Sequence, residues 1–229
     1  MVKTRRRPPP PASLVKNREK WEARLQRVLA GSCTGDWATR ACKSDLDAEL
    51  RKLTHGKCVY CESMLGVTTH REIEHHVAKT VNPLKAFEWT NLLPACRLCN
   101  LKKLDQDHGG DLLKPDDEDP EPYFWLHPDT GKLEPHPGLS ASEQRRAQRT
   151  IDLCDLQRGP LNAQRQEMKE NADLLLQLLA EGKRSLQTMQ KAWKALSDPK
   201  RQYKFVLRHV LTTKGQPALA AEDRHVFEQ

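Results

Sequence analysis

The sequence predicts an α+β fold in which a compact, metal-built module of short strands lies between mostly α-helical N- and C-terminal flanks. Three observations carry this. Two Cys-x-x-Cys pairs, Cys58/Cys61 and Cys96/Cys99, share one spacing, and two such turns can complete a tetrahedral four-sulfur zinc site with no position open to water. Apolar residues recur at helical spacing before residue 56 and after residue 142. Between them, the chain offers strand-like pieces and no amphipathic helix of ordinary length before Leu92.

The elements follow in order. Residues 1–14 form a basic, proline-rich arm: Arg5-Arg6-Arg7 runs into Pro8 to Pro11, a stretch that favours polyproline II and excludes helix. A solvated tail and a docking or phosphate-contacting arm are both open. In the helical segment 15–56, Trp21, Leu25, Val28 and Leu29 mark a helix from about Leu14 that ends at Gly31-Ser32. A second helix is expected from Ser44 to His55, capped by Ser44 and striped by Leu46, Leu50 and Leu53. The metal-built module occupies 57–105. Segment 106–141 carries the acidic, proline-rich run Lys114 to Pro122, then Tyr123 to Leu126 and a Pro128-Asp-Thr-Gly131 turn, which predict a loop and a short hairpin. The acidic run reads as a solvated loop or as a gate near a basic groove. From 142 to 229 four helices are expected, with breaks at Gly159-Pro160, Glu181-Gly182 and Asp198-Pro199, and with Trp193 and Tyr203 in the core. Arg145, Arg146 and Arg149 form a basic face, either solvated or touching phosphate.

Composition bounds the function. The 229 residues suit one domain with extensions. A net charge of +7 favours a polyanionic partner, and 37% hydrophobic against 30% charged residues implies a modest core that a partner protein can complete. Seven cysteines, of which Cys33, Cys42 and Cys154 are an odd, scattered remainder, argue against a secreted disulfide scaffold and for a reducing cytoplasm. The basic N-terminus lacks the apolar run of a signal peptide, and no stretch is long and apolar enough to cross a membrane. A cytoplasmic, bacterial protein is expected.

The chemistry lies between the cysteine pairs. Ile73-Glu74-His75 puts a carboxylate beside an imidazole at the end of a probable strand, where adjacent side chains point opposite ways. A carboxylate suits Mg²⁺ or another oxygen-preferring ion, and a neutral imidazole suits proton abstraction from water. Asn91, Asn100 and Lys103 stand on the other arm.

With Cys58, Cys61, Glu74, His75, Asn91, Cys96, Cys99, Asn100 and Lys103, the chain resembles the HNH endonucleases in their four-cysteine zinc form. The resemblance implies a ββα-metal hairpin and helix, structural Zn²⁺ on the four cysteines, and catalytic Mg²⁺ or Mn²⁺ on Glu74 and Asn100. It makes His75 the general base, gives Asn91 the task of orienting the loop behind it, and sets Lys103 against a phosphate. His76 and Arg97 are further candidates, since some HNH enzymes use the second of two adjacent histidines as base and Arg97 would add positive charge. Glu74 directly before His75 favours His75.

Within that family, Arg7 to Leu14, Cys58-Val-Tyr-Cys-Glu62, Ile73 to His75 with Lys79, Phe87 to Leu92 and Leu112 to Pro115 look like the PtuB nucleases of Septu anti-phage systems and some retrons. Those act with an ABC-type ATPase, PtuA. The chain departs from their pattern at Glu74-His-His-Val-Ala-Lys79, which lacks a proline. Two alternatives stand beside a DNA endonuclease: an HNH-fold ribonuclease cutting transfer RNA or another structured RNA, and a non-catalytic zinc knuckle that binds nucleic acid.

Overall fold

The computed structural model describes residues 1, 3–34, 36–183, 185–196, 198, 202–210 and 213. The expectations for the Trp193 side chain and for Pro199 lie outside the described residues. The architecture is α+β, with two small antiparallel hairpins among seven helices of the described residues.

Helix α1, Ala12–Leu29, begins directly after the prolines, where the Pro11 carbonyl accepts the first amides, and it buries Leu14, Trp21 and Leu25 on one face. Helix α2, Arg40–Leu53, starts four residues before the expected Ser44 because the Thr39 side chain accepts the Cys42 amide and caps it. Its stripe of Cys42, Leu46, Leu50 and Leu53 meets α1, Trp37, Phe87 and Leu92 in one core.

Strand β1, Arg71–His75, pairs antiparallel with β2, Leu92–Cys96, with Glu74 opposite Leu93 and His75 opposite Leu92. Helix α3, Arg97–Lys103, follows without a loop, capped by the Cys96 sulfur. The period of two along β2 divides its side chains: Leu92 joins the α1/α2 core, whereas Leu93 and Ala95 enter a second core around the cysteines. The hairpin therefore separates two apolar cores, and residues opposite each other share a face. His75 lies on the Leu92 side and Glu74 on the Leu93 side.

The second core is closed by Leu112 and Leu113, by hairpin β3 (Phe124–Leu126) and β4 (Leu133–Pro135), and by helix α4 (Ala141–Leu153), which a Ser140–Glu143 capping box starts. Gly159 and Pro160 open helix α5, Gly159–Ala180. Helices α6 (Leu186–Leu196) and α7 (Lys204–Val210) follow, and Leu207 and Val210 of α7 pack on Ala172 and Leu176 of α5. Tyr203 is buried in the second core.

The proline arm is docked on its own chain. The Arg7 guanidinium donates to the Asp116 carboxylate and to the Trp89 and Leu92 carbonyls, and the Trp89 indole donates to the Pro8 carbonyl at 2.7 Å. The acidic run is likewise neutralised from within: Arg7 and Lys114 hold Asp116, and Arg146 holds Glu118. Arg146 is thus committed to an internal ion pair, and within the acidic run Asp116 and Glu118 are tied down while Asp117 and Asp119 are exposed. No helix among the described residues is long and apolar enough to cross a membrane.

Candidate active site

The four cysteines come first because they fix the hairpin to its helix. Cys58 to Cys61 form a tight knuckle in which the Glu62 amide returns to the Cys58 carbonyl, and the Cys99 amide points at the Cys96 sulfur. All four are buried, with sulfur atoms within 4.8 Å of one another. The Cys61 and Cys96 sulfurs are 3.7 Å apart, close to the edge of about 3.8 Å expected for a tetrahedron with Zn–S bonds of about 2.3 Å. The Arg158 guanidinium stands 3.7 Å from the Cys99 sulfur and offsets thiolate charge. Donor type, number and spacing fit one structural zinc.

Away from the cysteines, the edge of β1 opens on a cavity of about 690 Å³ between residues 37–44 and α3, lined by Glu72, Glu74, His75, Lys79 and Asn100 among others. His75 is held on three sides. Its Nε2 lies 3.1 Å from the Ala86 carbonyl, which can only accept, so Nε2 carries the proton and Nδ1 the lone pair. Trp37 meets the ring edge-on at 4.6 Å. Burial first, and then the Lys79 ammonium, push the His75 pKa down to about 3, which keeps the imidazole neutral.

Glu74 is enclosed with Lys103: the ammonium is 2.7 Å from its Oε1 and also donates to the His75 carbonyl at 2.8 Å. Burial pushes the Glu74 carboxyl up to about 7 against the pull of Lys103. Lys103 is fully buried, so in this arrangement it does not face a substrate phosphate as expected; it reaches back from α3 to brace β1. The cavity ammonium with no ion-pair partner among the described residues is that of Lys79.

Asn100 donates from Nδ2 to Glu72 Oε2 at 2.5 Å, which leaves its Oδ1 as a donor atom. Arg97 sits at the surface, 3.6 Å from Glu72. Asn91 is buried and ties the loop after His75 to itself: Oδ1 accepts the Val77 amide, and Nδ2 donates to the Val77 and Lys85 carbonyls. That loop presents the Ala86 carbonyl to His75. His76 lies one residue past the end of β1 and opens on a separate cavity, beside His108.

The structure thus brings Glu74, His75 and Asn100 to one cavity, with Asn91 beneath the loop and Lys103 behind the strand. Glu72, Lys79 and Trp37 were not singled out as site residues from sequence. Glu72 lies two residues before Glu74, on the same strand face, and that spacing could have found it; no sequence signal marks Trp37. The oxygen donors Glu72, Glu74 and Asn100 suit a hard cation in type, but among the described residues only the four cysteines form a converging group of three or more His, Cys, Asp or Glu ligands. Glu74 would exchange its Lys103 contact for an ion.

No protein-family model matches the chain. Septu protein PtuB of Bacillus thuringiensis is 32% identical over 99 residues, covering 43% of this chain and 35% of that protein. Septu protein PtuB of Bacillus mycoides is 26% identical over 171 residues, covering 61% of this chain and 56% of that protein. The chain therefore spans between a third and about half of the length of these curated relatives. An α+β chain with a buried four-cysteine cluster, it resembles Septu protein PtuB.

Proposed function

We propose that the chain is a metal-dependent endonuclease of the HNH type that hydrolyses phosphodiester bonds, DNA by preference. In this reading it is the PtuB-like effector of an anti-phage complex with an ABC-type ATPase of the PtuA kind, and residues 57–105 are its nuclease module. The observation that carries the reading is His75: a neutral imidazole, its Nε2–H fixed on the Ala86 carbonyl, lies in the same cavity as Glu72, Glu74 and Asn100.

Hydrolysis needs a deprotonated water, in-line approach and neutralisation of charge on the phosphate and leaving oxygen. His75 Nδ1 takes the proton from water; the bond to Ala86 prevents the tautomer from swapping and is strengthened as the ring becomes positive. Asn91 holds the Ala86-bearing loop in register. Glu74 and Asn100 hold Mg²⁺ or Mn²⁺, which when bound supplies Lewis-acid stabilisation of the phosphate charge. Lys79 contacts the phosphate from the cavity wall, and Lys103, through its bond to the His75 carbonyl, braces the end of the strand. The four cysteines hold zinc that builds the module and does no chemistry. Similarity to Septu protein PtuB supports the role in defence.

Incubating the purified protein, alone and with its co-expressed ATPase, with plasmid DNA and with transfer RNA in Mg²⁺ or Mn²⁺ tests this. Metal-dependent cuts without a 2′,3′-cyclic phosphate on RNA are expected, since the nucleophile is water. Cleavage that persists without a divalent ion, or cyclic-phosphate ends, would overturn it.

A further inference from the structure

The 76–91 loop has a second cavity on its far side, of about 630 Å³, which meets the first at Ala78. It contains an anomaly. The His76 ring is enclosed, at 6% exposure, yet neither ring nitrogen has a hydrogen-bond partner among the described residues. Buried polar groups are nearly always satisfied, and this ring is among the residues that line the cavity. Its position is not loose, because it lies 4.7 Å from the His108 ring, which is itself fixed by bonds to the His76 carbonyl and the Gly110 amide. At the same cavity the Lys85 ammonium has no ion-pair partner among the described residues.

These two groups define a ligand. A neutral imidazole can turn either a donor or an acceptor nitrogen to a neighbour, and a base edge carries groups of both kinds; the ammonium asks for an anion. Valine and alanine walls, from Val77, Ala78 and Val81, leave room for a flat apolar face. The site does not suit a metal ion, because both nitrogens of His108 are already used and no acids converge with His76. A nucleotide carries all three features, and the volume lies in the range of small-ligand pockets.

We infer that this second cavity takes one unstacked nucleobase of a nucleic acid strand, with His76 on its polar edge and Lys85 on its phosphate. His75 and His76 are consecutive in the chain, and their side chains open on neighbouring cavities, so a strand crossing Ala78 presents a phosphate to one and a base to the other. The inference rests on the nuclease reading for its purpose, and binding alone tests it separately.

Calorimetric titration of the intact, zinc-bound protein with each 5′-mononucleotide, one base at a time, should show one base bound most tightly. His76→Phe keeps the ring against His108 and removes both nitrogens; it should weaken that nucleotide about tenfold. Lys20→Met, an exposed charge on α1 outside both cavities, should leave the affinity within about twofold. Lys85→Met should weaken all four nucleotides alike, and bare nucleosides should be indifferent to it; as a half-exposed side chain it also carries the test should His76→Phe fail to fold. No mononucleotide binding, or equal affinities in wild type and both folded variants, overturns the inference. Binding without any cleavage would instead overturn the nuclease reading and leave this site standing.

Discussion

Two regions of one hairpin and helix, the cysteine cluster and the cavity at the edge of β1, differ in how completely the protein has satisfied them. Toward the second core, four sulfurs from two turns of one spacing converge within 4.8 Å, with the Arg158 guanidinium and the Ser63 hydroxyl beside them. Toward the open cavity, each polar group is held by a different protein partner: Glu74 by Lys103, His75 by the Ala86 carbonyl, and Asn100 by Glu72. A converged set of soft donors is a finished structural site. In the proposed function, dispersed and individually braced donors would form a site that substrate and ion complete, its geometry kept by the braces. On that reading the same folding unit separates stability from chemistry, and substitutions in its two regions should separate in the same way.

The largest effect is expected at the cysteine cluster. Cys58→Ser removes one of four ligands, and structural zinc contributes about 10–16 kcal/mol in zinc-built modules. Zinc content should fall and the hairpin–helix unit should lose its protected amides in hydrogen exchange. A zinc-free Cys58→Ser protein with native exchange rates would erase the distinction between the two regions.

Lys103→Met probes the brace behind the cavity. Removing one partner of a buried ion pair costs about 3–5 kcal/mol, and here the remaining group can protonate. Burial already raises the Glu74 carboxyl to about 7, and loss of the ammonium raises it further. A carboxyl whose folded pKa lies above its unfolded value favours the folded state at low pH and loses that contribution as pH rises through the folded value. The variant should therefore approach wild-type stability near pH 5 and fall behind above pH 7, by thermal denaturation. A pH-independent deficit would mean that the pair is not what holds Glu74.

Asn91→Leu strips the loop of its three side-chain bonds and should cost about 3 kcal/mol. Its more telling consequence is on the Ala86–His75 contact: the His75 ring should lose its fixed tautomer, visible in the imidazole nitrogen shifts, while zinc stays bound. Unchanged imidazole shifts would show that the loop is held by other means.

Much of this was legible in the sequence, and the rest was hidden for definable reasons. The cysteine pairs, the α1 stripe and the β3/β4 hairpin follow from spacing that one element imposes on itself. Helix α2 began earlier than its stripe because a cap, Thr39, acts at a distance from the apolar residues it serves. The family resemblance sets Lys103 against a phosphate; its burial depends on Glu74 in a strand, a pairing no local pattern encodes. Taken alone, the proline arm and the acidic run each left a solvated and a docked or gating reading open, and Arg7 and Asp116 neutralise each other only in the fold. Trp37 and Lys79 reach the cavity from segments without regular structure, where periodicity says nothing.

The central claim is that the histidine at the cavity does the cutting while the cysteine cluster only builds. Metal-dependent cleavage and bound zinc measured on the same preparation of His75→Ala test it directly. The account predicts cleavage reduced by about 10²–10⁴-fold, the contribution of a general base, with zinc content and thermal stability close to wild type. Cleavage retained at the wild-type rate, or zinc lost along with it, would contradict the division of the two regions.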